Sequence, residues 1–224
     1  MRTVMLRLML LLFSLFMTEI SLAVEISFKT EDKATIYANY QQRGSHAVLL
    51  AHGAIFNKES WGKFEQSLLD TNFTVLAIDF RGYNKSTQGE QPHALYKDIL
   101  AGVKFLRNKN NIDKVTVLGA SMGGAAASKA SVYSAENSID QLILLSPAKV
   151  FKAEALKGDT LFIASKKEYL KKSIETAFNK AADPKQLLLI NGKAHAQHIF
   201  KTDQSEILSA AIIKFLKSTA TEDK

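Results

Sequence analysis

Short apolar runs recur along this chain with helix-sized intervals between them. His46–Ala51 (HAVLLA), residues 73–78, residues 115–118, Gln141–Leu145, residues 160–164 and residues 186–190 have the nearly continuous apolar content of strands covered on both faces. Residues 60–69, 92–108, 125–133, 170–181 and 207–216 have helical character instead. In residues 92–108, for example, Leu95, Ile99, Val103 and Leu106 form one stripe. Strands that alternate with helices must pair in parallel, because the helix carries the chain back across the sheet. Ahead of them, residues 24–30 and 34–40 alternate apolar with polar around Glu31-Asp32-Lys33, the pattern of an antiparallel pair with one wet face. The expectation is one α/β domain, a mostly parallel eight-stranded sheet with helices on both faces. In such sheets sites collect beyond the carboxyl ends of the strands.

One strand end carries a distinctive turn. Lys114-Val115-Thr116-Val117-Leu118 leads into Gly119-Ala120-Ser121-Met122-Gly123-Gly124, and an alanine-rich helix follows. A serine between two such glycines, on a strand–turn–helix junction, is held in a strained backbone that projects its hydroxyl above the sheet. The glycines let neighbouring backbone approach. The N–H of Met122 then points to where an oxyanion can form.

A serine nucleophile needs a base, and the base needs an orienting acid. Among the five histidines, His46 opens a strand at the wrong edge, and His52 comes too early in the order. His52 is expected to brace its loop through hydrogen bonds. His93 opens a helix. His195 and His198 both follow the last strand. The loop Asn191-Gly192-Lys193-Ala194-His195 can carry His195 over the serine, whereas His198 is placed to pack against the final helix. Asp140 and Asp159 precede their strands and belong to the opposite edge. After the run 160–164, the first carboxylate is Glu168, with Asp183 a weaker alternative. A second oxyanion donor is expected from the loop at His52-Gly53-Ala54, with Ala54 N–H first and Ile55 N–H second.

Composition narrows the class. The chain has 224 residues and no cysteine, which excludes disulfides, thiol catalysis and a lipoprotein anchor. Residues 1–23 are expected to be a signal peptide: Arg2 and Arg7 precede an apolar run, and Ser21-Leu22-Ala23 offers the small residues a signal peptidase reads, with cleavage after Ala23. The domain proper is then 24–224, periplasmic or secreted, with no stable membrane insertion once the signal is removed. Removing Arg2, Arg7 and Glu19 takes Lys plus Arg from 29 to 27 and Asp plus Glu from 22 to 21, leaving a formal +6. An anionic envelope surface suits that charge. Nucleic acid does not, because the lysines are scattered and not interleaved with aromatics.

Gly53 after His52, DFRGYNKS from Asp79 to Ser86, GASMGG from Gly119 and GKAHAQHIF from Gly192 occur in an order that resembles the α/β-hydrolase superfamily, in particular its small capless serine hydrolases of esterase type. The resemblance implies a three-layer α/β-hydrolase sandwich and no cofactor. It also implies Ser121 as nucleophile, His195 as base, Glu168 as acid, and the N–H groups of Ala54 and Met122 as oxyanion donors. Two positions depart from the family pattern: Glu168 stands where Asp is commoner, and Asn84 where Gly is usual. Only residues 147–159 join two of the later strands, too few for the helical cap many relatives insert there. An open site suits small esters or exposed ends of larger molecules. Lys149, Lys152, Lys166 and Lys167 are placed to rim it. The expected activity is hydrolysis of a small-molecule carboxylic ester or acyl substrate. A thioesterase or peptidase with the same triad, or a non-catalytic binding protein of the cell envelope on this fold, are the alternatives.

Overall fold

The computed structural model describes residues 23–218. The expected signal peptide falls almost wholly outside the described residues. Eight strands form one sheet in the order β1-β2-β4-β3-β5-β6-β7-β8. β1 (Val24–Lys29) and β2 (Thr35–Gln41) are antiparallel, and β2 is antiparallel to β4 (Thr74–Ile78). β3 (His46–Ala51), β4, β5 (Lys114–Ala120), β6 (Gln141–Leu145), β7 (Asp159–Ser165) and β8 (Lys185–Ile190) are all parallel.

The apolar residues divide by strand period. Ala47, Leu49 and Ala51 of β3 face a core shared with α2 (Leu95–Arg107), α3 (Met122–Tyr133) and α4 (Lys171–Lys180). Val48 and Leu50 face a second core built with α1 (Gly62–Asp70) and α5 (Ser205–Lys217). Val48, Leu49 and Leu50 have no exposed surface, and each such side chain contributes about 1.5–3 kcal/mol by leaving water. Because successive residues point to opposite faces, a fully apolar strand is what a three-layer sandwich requires.

Helix starts differ from the sequence reading: α3 begins at Met122 and α5 at Ser205, each earlier than expected, and two others differ for a visible reason. The helix expected from residue 60 opens with a 3-10 turn, Lys58–Trp61, and becomes α-helical only at Gly62, whose φ is +48°. Asp79 holds Lys58 by both its backbone N–H and its ammonium group, each at 2.9 Å, and so fixes that first turn. The helix expected from Pro92 starts at Leu95. The carbonyl of Gln91 accepts from Arg81 Nη1 at 2.5 Å and from the N–H of Ala94, so an N–H four residues on does not take it up.

Strand register sets up the site. Ala51 pairs with both Ile78 and Gly119, Ala120 with Leu145, and Ser165 with Ile190. The residues that follow those ends, among them Asp79, His52, Ser121, Ser146, Lys166 and Asn191, therefore leave one common edge. β6 and β7 are joined by residues 146–158, whose only helical element is the 3-10 turn Ala153–Ala155. No cap covers that edge among the described residues.

Candidate active site

Ser121 occupies the turn between β5 and α3 with φ +52° and ψ −111°, a backbone that a side-chain-bearing residue adopts only under strain. Three hydrogen bonds hold it there. Its N–H donates to Leu145 O at 3.0 Å, and its own carbonyl accepts from Ala148 N at 2.9 Å and Ala125 N at 3.0 Å. The glycines on either side are sterically required. A Cβ on Gly119 would come within 2.3 Å of Gly123 O, and one on Gly123 within 2.2 Å of Ala51 O. The start of α3 thus lies directly on β5 and β3, and larger residues would push the serine off its strand.

His195 leaves the loop after β8 and caps a 3-10 turn, Ala196–Lys201. Its Nε2 is 2.9 Å from Ser121 Oγ, and its Nδ1 is 2.7 Å from Glu168 Oε2. The Glu168 side chain has no exposed surface. Its other oxygen accepts from the backbone N–H of Ser165 and the hydroxyl of Ser146, both at 2.7 Å. A carboxylate fixed by three donors holds the imidazole with Nδ1 protonated and Nε2 free to accept the serine proton. The sequence-predicted Ser121, His195 and Glu168 are thus brought into one hydrogen-bonded chain. A solvated glutamate at the start of a helix, the ordinary reading for such a residue, does not describe Glu168.

The loop after β3 brings the sequence-predicted oxyanion donors alongside. A Cβ placed on Gly53 would lie 3.5 Å from Ser121 Cβ, so the Gly53-Ala54 backbone borders the serine. The N–H groups of Ala54 and Met122 take no protein acceptor among the described residues. His52 braces this loop as expected. Its Nδ1–H donates to Gly53 O at 2.8 Å, and its Nε2 accepts from Phe80 N at 3.2 Å. Burial lowers its pKa, which keeps the ring neutral and both bonds possible.

Three neighbours escape a reading of the sequence. Ser146, with φ +43°, supplies the hydroxyl on Glu168. Its one signal is a serine at a strand end in register with Ser121. Tyr83 donates its hydroxyl to Ala54 O at 2.8 Å. Gln197 accepts the N–H of Gly53 at 2.8 Å. His198, expected against the final helix, is instead exposed, with its ring 5.1 Å from that of Phe56. The 3-10 turn after His195 rotates it outward, and Ile199 takes the buried position. Asn84 keeps a left-handed φ of +46°, as a glycine would, and its Nδ2 donates to Asp79 Oδ2 at 2.9 Å. Asp140 and Asp159 lie at the amino ends of β6 and β7, away from the site. No group of three or more His, Cys, Asp or Glu side chains that could hold a metal occurs among the described residues.

Residues 46–191 match the family described as alpha/beta hydrolase fold. The chain belongs to that family. The alpha/beta hydrolase is 28% identical over 123 residues to a protein from Synechocystis described as a putative non-heme chloroperoxidase, a match that covers 54% of this chain and 44% of that one. It is 29% identical over 107 residues to a 2-hydroxy-6-oxononadienedioate/2-hydroxy-6-oxononatrienedioate hydrolase from Pseudomonas, covering 46% of this chain and 37% of that one. The alpha/beta hydrolase thus spans less than half the length of these relatives. An esterase from Pyrococcus furiosus superimposes with a TM-score of 0.74 at 18% identity, covering 88% of this chain and 92% of the esterase. An esterase from Exiguobacterium antarcticum gives a TM-score of 0.72 at 18% identity, covering 87% of this chain and 100% of that one. At these identities the structural likeness speaks for the alpha/beta hydrolase fold, and the site geometry has to carry the chemistry.

Proposed function

We propose that this hydrolase cleaves carboxylic esters through an acyl-enzyme on Ser121. The observation that carries the reading is the unbroken relay from Ser121 Oγ through His195 to Glu168, at 2.9 Å and 2.7 Å, on a serine with positive φ. Ser121 Oγ attacks the ester carbonyl while His195 Nε2 takes the hydroxyl proton. Negative charge moves to the carbonyl oxygen, where the Ala54 and Met122 N–H groups receive it. Such donors are each worth about 10²–10³ in rate. The intermediate collapses, the C–O bond to the leaving alkoxide breaks, and His195 returns its proton to that oxygen. Water then repeats the sequence against the acyl-serine and frees the acid. Glu168 keeps the imidazole in the productive tautomer and offsets the charge it gains in each half.

A binding protein without chemistry has no need of a buried carboxylate within hydrogen-bond reach of the imidazole, so the Glu168–His195 contact favours an enzyme over that alternative. Lys149, Lys152, Lys166 and Lys167 are exposed on the loops after β6 and β7 and make no ion pair among the described residues. They favour anionic substrates, and an exported enzyme would meet these at an envelope surface. Ile55 and Tyr169 are 78% and 81% exposed, next in sequence to Ala54 and Glu168, and they offer apolar contact for an acyl chain or leaving group at the same edge.

Hydrolysis of a short p-nitrophenyl ester tests the reading. Ser121→Ala is expected to lower kcat by at least about 10³-fold with the melting temperature unchanged, and a fluorophosphonate should label the unmutated protein at Ser121. Turnover at the unmutated level in that variant would refute the assignment. A fall in KM for anionic over neutral esters that disappears in high salt would support the lysine rim.

A further inference from the structure

Gln197 sits two residues past His195, on the 3-10 turn that the histidine caps, and is 2% exposed. Its Oε1 accepts the N–H of Gly53 at 2.8 Å, and because that partner is a donor the amide can face only one way. Its Nε2 is buried and has no partner among the described residues. A carboxamide that satisfies one group and strands its own donor is a poor choice for filling space. The reason to hold it lies in what Gly53 does next.

The N–H of Ala54 shares a planar peptide with Gly53 C=O and points the opposite way. Two donors aim that carbonyl, His52 Nδ1 at 2.8 Å and Phe56 N at 3.0 Å. The preceding peptide, which carries Gly53 N–H, is held by Gln197. A Cβ on Gly53 would lie 3.5 Å from both Gln197 Oε1 and Ser121 Cβ, so the amide and the serine flank the same backbone atom.

We propose that Gln197 is a positioning residue: by holding Gly53 N–H it ties the oxyanion loop to the turn that carries His195, so that base and oxyanion donor keep their spacing. The proposal rests on the serine-hydrolase reading. It is a role exerted through Ala54, with no contact between Gln197 and the reacting atoms.

Gln197→Met keeps the length of the side chain and removes both the acceptor and the stranded donor. The expected result is a fall in kcat of about 10- to 100-fold with KM changed less than about threefold, since a small misplacement of the donor acts on the transition state alone. The melting temperature should fall modestly, because Gly53 N–H loses its acceptor; the fall in kcat with KM kept is the readout that a purely structural role would not give. Affinity for a trifluoromethyl ketone, whose serine adduct carries the oxyanion, should fall by the same factor as kcat. Gln197→Glu is the second variant. It still accepts from Gly53 but sets a buried carboxylate beside the developing negative charge, so the ratio of its kcat to that of the unmutated enzyme should rise as pH is lowered. Serine-dependent turnover in the unmutated enzyme, with Gln197→Met within twofold of it and a pH-independent Gln197→Glu ratio near one, overturns this inference alone. Absence of turnover that depends on Ser121 overturns the hydrolase reading and this inference with it.

Discussion

The two edges of the sheet handle left-handed backbone differently. At the amino edge, Asn72 before β4 and Asn137 before β6 have φ of +67° and +57°, and Gly158 before β7 has +82°. Glycine and asparagine adopt this conformation at little cost. At the carboxyl edge Gly82, Asn84 and Gly192 do the same, but Ser121, Ser146 and Ala196 join them with φ of +52°, +43° and +52°. A serine or alanine there costs roughly 1–3 kcal/mol. The amino edge is tied by charge. Arg107 bonds Asp140 and the carbonyls of Asp113, Asn137 and Ser138. The carboxyl edge has charged ties of its own, Asp79 on Lys58 and Arg81 on Asp32 and Asp98, and adds hydrogen bonds that run from loop to loop and converge on Ser121, Glu168 and Gly53. Strain persists where neighbouring loops over-determine it, and that is the edge with the candidate triad.

The sharpest way to break the comparison is at Glu168. Glu168→Gln must turn an NH₂ toward at least one of three donors, Ser165 N–H, Ser146 O–H or His195 Nδ1–H. Loss of kcat by about three orders of magnitude is expected, measured on the p-nitrophenyl ester with circular dichroism to show the fold retained. Next in size is an effect on the other edge that leaves chemistry alone. His46 opens β3, with Nε2 2.8 Å from Thr116 Oγ1 and its ring 5.0 Å from Phe73. Burial, and then Lys114, lower its pKa from the usual 6.5 to about 4, while Asp140 opposes the shift. The folded state thus resists protonation. The stabilisation is complete above 6.5 and is lost as pH falls from 6.5 towards 4, by up to roughly 3 kcal/mol. Urea unfolding at several pH values should show this acid limb flattened in His46→Gln.

A smaller effect is expected from Ser146→Ala. It leaves the triad in place but removes one of the bonds on Glu168, so kcat should fall about tenfold, equivalent to about 1.4 kcal/mol. The smallest difference separates the two kinds of left-handed residue. Ala196→Gly relieves strain of about 1–2 kcal/mol against a glycine entropy cost of about 0.5–1, so stability should rise by roughly 0.5 kcal/mol. Asn137→Gly has no comparable strain to relieve and should not gain. Denaturation midpoints of the two variants, measured side by side, decide this.

The layered sheet is legible in the sequence because strand burial leaves a local mark, the continuous apolar run of β3, β4 and β6. Ser121 is legible because the glycines that permit its turn are adjacent to it. His195 and Glu168 follow from position alone, each being the first suitable group past a strand end. The supporting shell is not legible in the same way. Gln197 and Gly53 are 144 residues apart, Ser146 and Glu168 are 22 apart, and Arg81 bridges Asp32 and Asp98 across 49 and 17 residues. Taken singly, Gln197, Asp32 and Asp98 read as ordinary polar surface. Helix starts are hidden for a related reason, since the 3-10 turn ahead of α1 is held by Asp79 on another loop.

The brevity of the link between β6 and β7 bears on where an acyl group would go after its first transfer. Residues 146–158 hold no helical element beyond the 3-10 turn Ala153–Ala155. An acyl chain on Ser121, as proposed, would have Ile55 and Tyr169 beside it and no helical cap from this link above it. In the proposed reaction water would reach the acyl-serine directly, which favours hydrolysis over transfer to a second organic acceptor.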